Sequence, residues 1–177
     1  PTTRVWDGGG GDNNWTTAAN WDSNVAPIAG DNLVFAGTTR LTPNNDFATD
    51  TLFGGITFQS DAGAFTIGGN RITLLGGTVA NSSSNLQTVN LDMILSGGST
   101  CTVAGGDITL NGILSDSGRL TKTGNGTLTL TAASTYTGAT TFSDGTIVLA
   151  ASGSLTATQS LITNGIANLD IHGAITL

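Results

Sequence analysis

The sequence predicts an all-β fold, a parallel β-helix built from short stacked strands, and three observations predict it. One phrase recurs: an apolar residue, Thr, an apolar residue, then Gly or Asn within a few positions. It reads Ile56-Thr57-Phe58, Phe65-Thr66-Ile67, Ile72-Thr73-Leu74, Cys101-Thr102-Val103, Ile108-Thr109-Leu110, Leu128-Thr129-Leu130 and Ile175-Thr176-Leu177. Each phrase is a three-residue strand with one side inward and one outward, too short to bury its apolar side without a like neighbour above and below. Second, the charged helix formers Glu and Lys are all but absent. All 12 acids are Asp and Lys122 is the only lysine, whereas Asp, Asn and the 26 glycines suit turns. Third, only 10% of the residues are charged, well under half the usual share.

The elements follow in order. Residues 1–53 hold Trp6, Trp15 and Trp21 at irregular spacing, a Gly8-to-Asn14 loop, and Asp31-Asn32-Leu33-Val34-Phe35, which reads as a turn into a strand. This segment is expected to be an irregular Trp-rich N-terminal cap that closes the first rung with bulky side chains. From residue 54 to 177 short apolar segments recur every six to ten residues or so. They are separated by Gly68-Gly69-Asn70, Gly76-Gly77, Gly105-Gly106-Asp107 and Gly124-Asn125-Gly126, where glycine permits tight corners. A β-sandwich would show longer strands joined by hairpin turns. Rungs of roughly 20 to 25 residues would give five or six turns in this segment, a rod of roughly 25 to 30 Å.

Composition excludes some functions. Net charge is −7, and Arg4, Arg40, Arg71, Arg119 and Lys122 are scattered, so no nucleic acid is expected as a partner. No run is long enough for a membrane span, and no insertion into a membrane by this chain is expected. Cys101 is the only cysteine and is expected as a small buried residue. The chain opens Pro1-Thr2-Thr3 without a visible signal peptide. It is either cytosolic or already processed, and the Thr-, Asn-, Ser- and Gly-rich composition favours export.

Residues 118–147, GRLTKTGNGTLTLTAASTYTGATTFSDGTI, closely resemble the autotransporter-associated β-strand repeat, also called the passenger-associated transport repeat. The pattern runs through Gly118, Leu120, Lys122, Gly124, Gly126, Thr127, Leu128, Leu130, Tyr136, Gly138, Thr140, Thr141, Gly145, Thr146 and Ile147. Ser134 stands where Asn is preferred, and Ala139 replaces a second glycine. The opening from Trp6 to Trp21, Gly30 to Phe35, and Gly63 to Gly77 also resemble exported proteins with such repeats. The resemblance implies a right-handed parallel β-helix, removal of a signal peptide, and secretion to the cell surface of a Gram-negative bacterium. It implies no catalytic residues. Relatives are usually much longer and often end in a membrane β-barrel, for which no strands fit here, so the chain reads as a truncated piece or a short stand-alone member.

Candidate chemistry is sparse, and no enzyme activity, cofactor or metal is expected. His172, the only histidine, lies in a strand running into a turn. Asp92, Asp107, Asp116 and Asp144 are spread among turns rather than clustered as a polysaccharide-cleaving site requires. Asp7, Asp12, Asn13 and Asn14 offer oxygens to Ca²⁺, but the spacing matches no calcium loop and a plain turn is the better reading. The tryptophans, which could stack on sugars, are better read as core. Lys122 is expected as a solvated lysine whose stem covers a corner. The C-terminal phrase contains no proline and no terminal lysine to blunt a bare edge. The functional expectation is therefore an exported structural subunit that partners itself, stacking head to tail into a fibre or surface layer. The candidate interface is Leu169, Ile171, Ile175 and Leu177 at one end and Arg4, Val5 and Trp6 at the other. An adhesin or passenger module, with surface glycans as partner, is the alternative.

Overall fold

The computed structural model describes residues 1–96, 100–156, 160–164 and 167–176, with side chains omitted at 100–105, 156, 174 and 176. After β1 (Thr3–Trp6), the chain makes two short 3-10 turns at Ala18–Asn20 and Asp22–Asn24 and then settles into triplets of strands. The first is β2 (Asn32–Phe35), β3 (Asn44–Asn45) and β4 (Thr51–Phe53). The second is β5 (Gly55–Phe58), β6 (Thr66–Gly69) and β7 (Ile72–Leu74). There follow β8 (Thr78–Asn81), β9 (Gln87–Val89), β10 (Met93–Leu95), and β11 (Thr100–Gly105), β12 (Ile108–Leu110), β13 (Leu114–Ser115). Next come β14 (Arg119–Lys122), β15 (Thr127–Leu130), β16 (Ala133–Ser134), and β17 (Thr140–Phe142), β18 (Gly145–Leu149), β19 (Ser154–Thr156). The last triplet is β20 (Leu161–Thr163), β21 (Ala167–Ile171) and β22 (Ala174–Thr176).

Corresponding strands stack in parallel, so the coil has three faces and makes about six turns. The first face is an eight-stranded sheet in the order β1-β2-β5-β8-β11-β14-β17-β20. The second is seven-stranded, β21-β18-β15-β12-β9-β6-β3. The third is divided into β4-β7-β10-β13 and β16-β19-β22. Strands β1 to β4 lie within residues 1–53 and join the same faces as the later rungs.

Rung length is legible in one register column of the first face: Leu33, Ile56, Val79, Val103, Lys122, Phe142 and Thr163 are 19 to 24 residues apart. The shorter spacing begins with the step from Val103 to Lys122, close to where the third face divides. Across that division the Leu114 N–H donates to Ser134 Oγ at 3.3 Å and the Thr135 N–H to the Leu114 carbonyl at 2.8 Å. These bonds continue the stack where strand pairing is absent.

The apolar-Thr-apolar phrases behave as alternation requires. Ile72, Leu74, Ile108, Leu110, Leu128 and Leu130 are buried, with the intervening threonines half-exposed. The interior is one continuous hydrophobic cluster along the coil. Its β1 end is aromatic: Trp6, Phe35 and Phe58 occupy one register column, with ring centroids 6.1 and 5.7 Å apart. Turns between faces need glycine where rungs approach closely. At Gly145, φ is +74° and an added Cβ would lie 2.4 Å from the Gly124 carbonyl oxygen, a combination only glycine tolerates.

Candidate functional site

The candidate interface residues lie at the two ends of the coil. At the first end, the outer edge of β1 is already engaged. In a parallel ladder, alternate N–H groups face opposite neighbours. The outward-facing Val5 N–H donates to Asp22 Oδ1 at 2.9 Å, and the Asp7 N–H to the Asn20 carbonyl at 3.0 Å. Trp6 and Trp21 also form an isolated antiparallel bridge. Residues 20–22 thus sit where a further parallel strand would pair.

This loop holds its shape through Asp12 and Asn20. The Asp12 carboxylate accepts the Asn14 N–H at 3.0 Å, the Thr17 hydroxyl at 2.9 Å and the Asn20 amide at 3.2 Å. The Asn14 N–H and the Thr17 hydroxyl hold its pKa below the ordinary carboxylate value. Asn20, fully buried, also donates to the Asn14 carbonyl at 2.9 Å, while its own amide oxygen accepts the Gly10 N–H at 2.9 Å. Asp7 likewise accepts the Gly9 N–H, while the side-chain oxygens of Asn13 and Asn14 accept from Arg40 and Asn44 outside the loop. Among the described residues no group of three or more His, Cys or acidic side chains is placed to hold a metal ion.

All three tryptophans are fully buried, so none presents a ring face to a sugar. Trp21 meets Trp6 and Trp15 edge to face, at 5.3 and 6.3 Å, and its Nε1–H donates to the Trp15 carbonyl at 2.8 Å. The Nε1–H groups of Trp6 and Trp15 are buried without a hydrogen-bond partner among the described residues.

Arg4 and Val5 lie half-buried on β1. Arg4 Nε pairs with Asp31 at 3.4 Å. Burial alone pushes the Asp31 carboxyl up, but the Thr2 and Ile28 N–H groups and Arg4 outweigh it and hold the pKa below the ordinary value. At the far end, Leu169 and Ile171 lie on β21 and Ile175 on β22, and Leu177 lies outside the described residues. Leu169 and Ile175 are partly buried against the core, while Ile171 is 48% exposed. The six described candidate residues therefore fall at opposite ends, three on β1 and three on the last rung. His172 is exposed beside Asp170, with Nε2 3.2 Å from its carboxylate. The Cys101 side chain lies outside the described side chains.

Lys122 corrects an expectation. It is not a solvated corner residue: it is 1% exposed. It shares an inward column with Phe142, and its Nζ donates to the carbonyls of Thr123 at 2.8 Å and Gly124 at 2.6 Å. Burial lowers its pKa, against the opposing pull of Asp144 and Asp107. The signal was present in Leu120-Thr121-Lys122, where strict alternation already places the lysine inward. Its role is structural: an ammonium group binds the turn that leads from β14 to β15.

The comparisons agree with this architecture. Residues 120–149 match the passenger-associated-transport-repeat family model, so the segment from β14 to β18 is a copy of that repeat. Neither the curated proteins nor the solved structures yielded a match to this chain. The repeat, over 30 residues, and the β-solenoid fold are together compatible with an autotransporter passenger-like protein. No helix among the described residues is long and apolar enough to cross a membrane.

Proposed function

We propose that this chain is a structural β-solenoid displayed outside the cell, a passenger-type scaffold that extends by strand stacking at its β20–β22 end. The observation that carries the reading is the difference between the two ends. Val5 and Asp7 have their outward N–H groups bonded to residues 20–22, whereas β20, β21 and β22 form one outer rung of the stack. A solenoid rung is a template for the next rung, supplied by the same coil or by a second copy. Head-to-tail stacking onto Arg4, Val5 and Trp6 requires residues 20–22 to leave the β1 edge first. In this proposal the loop is a brake on fibre growth.

The test is sedimentation of the purified chain beside Asp22→Ala, which removes the Val5 acceptor. The wild-type chain is expected to stay discrete where the variant associates end to end. Equal association of the two would sink the brake. A surface location is supported by the repeat, and labelling of intact cells with an antibody to the chain would test it.

A further inference from the structure

Asn is followed by Gly at three places: Asn111-Gly112, Asn125-Gly126 and Asn164-Gly165. Each pair holds a latent reaction. The main-chain nitrogen after an Asn can attack the side-chain Cγ and close a five-membered ring. Glycine, with no Cβ, leaves that nitrogen unhindered and its backbone free to bend toward the amide. Whether the ring closes depends on whether the fold lets the two atoms meet. Gly165 lies outside the described residues, which leaves Asn111 and Asn125.

The two are alike in position and unlike in restraint. Asn111 follows β12 and Asn125 stands two residues before β15, on neighbouring rungs of the second face, and both are exposed. Asn111 is tied down. Its Nδ2 donates to Asn90 Oδ1 at 2.7 Å, its Oδ1 accepts the Thr131 hydroxyl at 2.8 Å, and its N–H donates to the Val89 carbonyl at 2.8 Å. Gly112 is buried, and a Cβ there would lie 1.9 Å from the Leu91 carbonyl oxygen. Neither the amide nor the nitrogen can turn without breaking contacts. Asn125 has no such restraint. Among the described residues neither its side-chain amide nor the Gly126 N–H has a hydrogen-bond partner.

The turn adds a cation. Lys122 Nζ holds the Thr123 and Gly124 carbonyls. A Cβ built on Gly145 would lie 2.4 Å from the Gly124 carbonyl oxygen, 2.5 Å from that of Gly126 and 2.9 Å from Lys122 Nζ. The carbonyls on either side of the Asn125–Gly126 peptide thus lie close to one buried ammonium. Negative charge builds on that peptide as its nitrogen gives up a proton and attacks, and a fixed cation beside it favours the step.

We propose that Asn125 is a self-modification site. The Gly126 nitrogen bonds to Asn125 Cγ, and the bond from Cγ to the amide nitrogen breaks. That nitrogen leaves as ammonia, carrying the proton given up by the Gly126 N–H. Water then opens the cyclic imide at one or other carbonyl, leaving aspartate or its β-linked isomer. The new carboxylate joins Asp107 and Asp144, whose charges already act on Lys122. The β-linked product also lengthens the main chain between β14 and β15 by one carbon.

The test is a time course on the full folded chain in mildly alkaline buffer. Peptide mapping by mass spectrometry follows amide loss at residues 111 and 125 separately, and an isoaspartyl methyltransferase assay detects the β-linked product. The same chain in guanidinium chloride is the control, since it removes every restraint the fold imposes. In the folded chain Asn125 is expected to convert roughly tenfold faster than Asn111, or more, and to yield both products. In denaturant Asn111 is expected to speed up until the two rates are similar. The proposal is overturned if Asn111 converts as fast as Asn125 in the folded chain, or if Asn125 converts only in denaturant. A product that is aspartate alone, with no β-linked isomer, would also overturn it, because direct hydrolysis of the amide passes through no ring.

Discussion

Trp6 and Trp21 meet twice: their rings pack edge to face at 5.3 Å and 88°, and their backbones form an antiparallel bridge. Every described strand pair of the coil is parallel, so this bridge turns chain direction around at the outer edge of β1. A strand edge is a template for further pairing. Here it is covered by backbone running the other way, fixed by an indole that is itself buried.

Asp22→Ala is expected to lower stability by only about 0.5 to 1.5 kcal/mol, the net worth of one intramolecular hydrogen bond. Its larger effect is expected on association, because the Val5 N–H regains freedom to pair with another chain. Urea denaturation gives the first quantity and sedimentation velocity the second. A loss of stability with no change in association would separate the loop from any part in assembly.

The tryptophans are expected to be unequal. Trp21→Phe removes the Nε1–H that donates to the Trp15 carbonyl, whereas Trp15→Phe removes an N–H without a partner among the described residues. Both lose packing volume, but Trp15→Phe also relieves a buried orphan donor, worth about 1 to 3 kcal/mol. Trp15→Phe should therefore have the higher urea midpoint of the two. The reverse order would show that the Trp15 N–H is satisfied in solution.

Lys122→Met should destabilise the chain by about 1 to 3 kcal/mol near neutral pH, because the Thr123 and Gly124 carbonyls lose the ammonium donor. The pH dependence has a definite sign. The folded pKa lies below the ordinary lysine value, so the unfolded chain holds more protons between the two. Stability from this group therefore rises as pH climbs through the lowered pKa toward the ordinary one. Denaturation midpoints across the alkaline range should show a difference between wild type and Lys122→Met that widens with pH. A constant difference would contradict a buried ammonium.

Acid should act through Asp31. Its folded pKa is depressed, so its contribution is complete above the ordinary carboxylate range and is lost as pH falls through the folded value. Asp31→Asn should be less stable than wild type at neutral pH, and the two should converge in acid. Thermal melts from pH 7 down to about 2 follow the convergence.

Much of the coil was legible because its rule is local. Ile72-Thr73-Leu74 and Ile108-Thr109-Leu110 state by alternation which side is inward, and glycine marks the corners. Lys122 runs against its residue type: the alternation turns it inward, and carbonyls of the following turn hold its ammonium. The engagement of Val5 by Asp22 was not legible, since it joins residues 17 apart across an irregular loop with no period. Which residues stack in register was not legible either, because it depends on rung lengths, which vary from 19 to 24 residues along the first face.

The most direct test of the account is electron microscopy of the purified chain at high concentration, beside Asp22→Ala. The account predicts discrete short rods for the wild type, with residues 20–22 on the β1 edge, and filaments for the variant, stacked continuously across junctions at about 4.8 Å per rung. Wild-type filaments in which β1 pairs with the β20 strand of the next copy would contradict it.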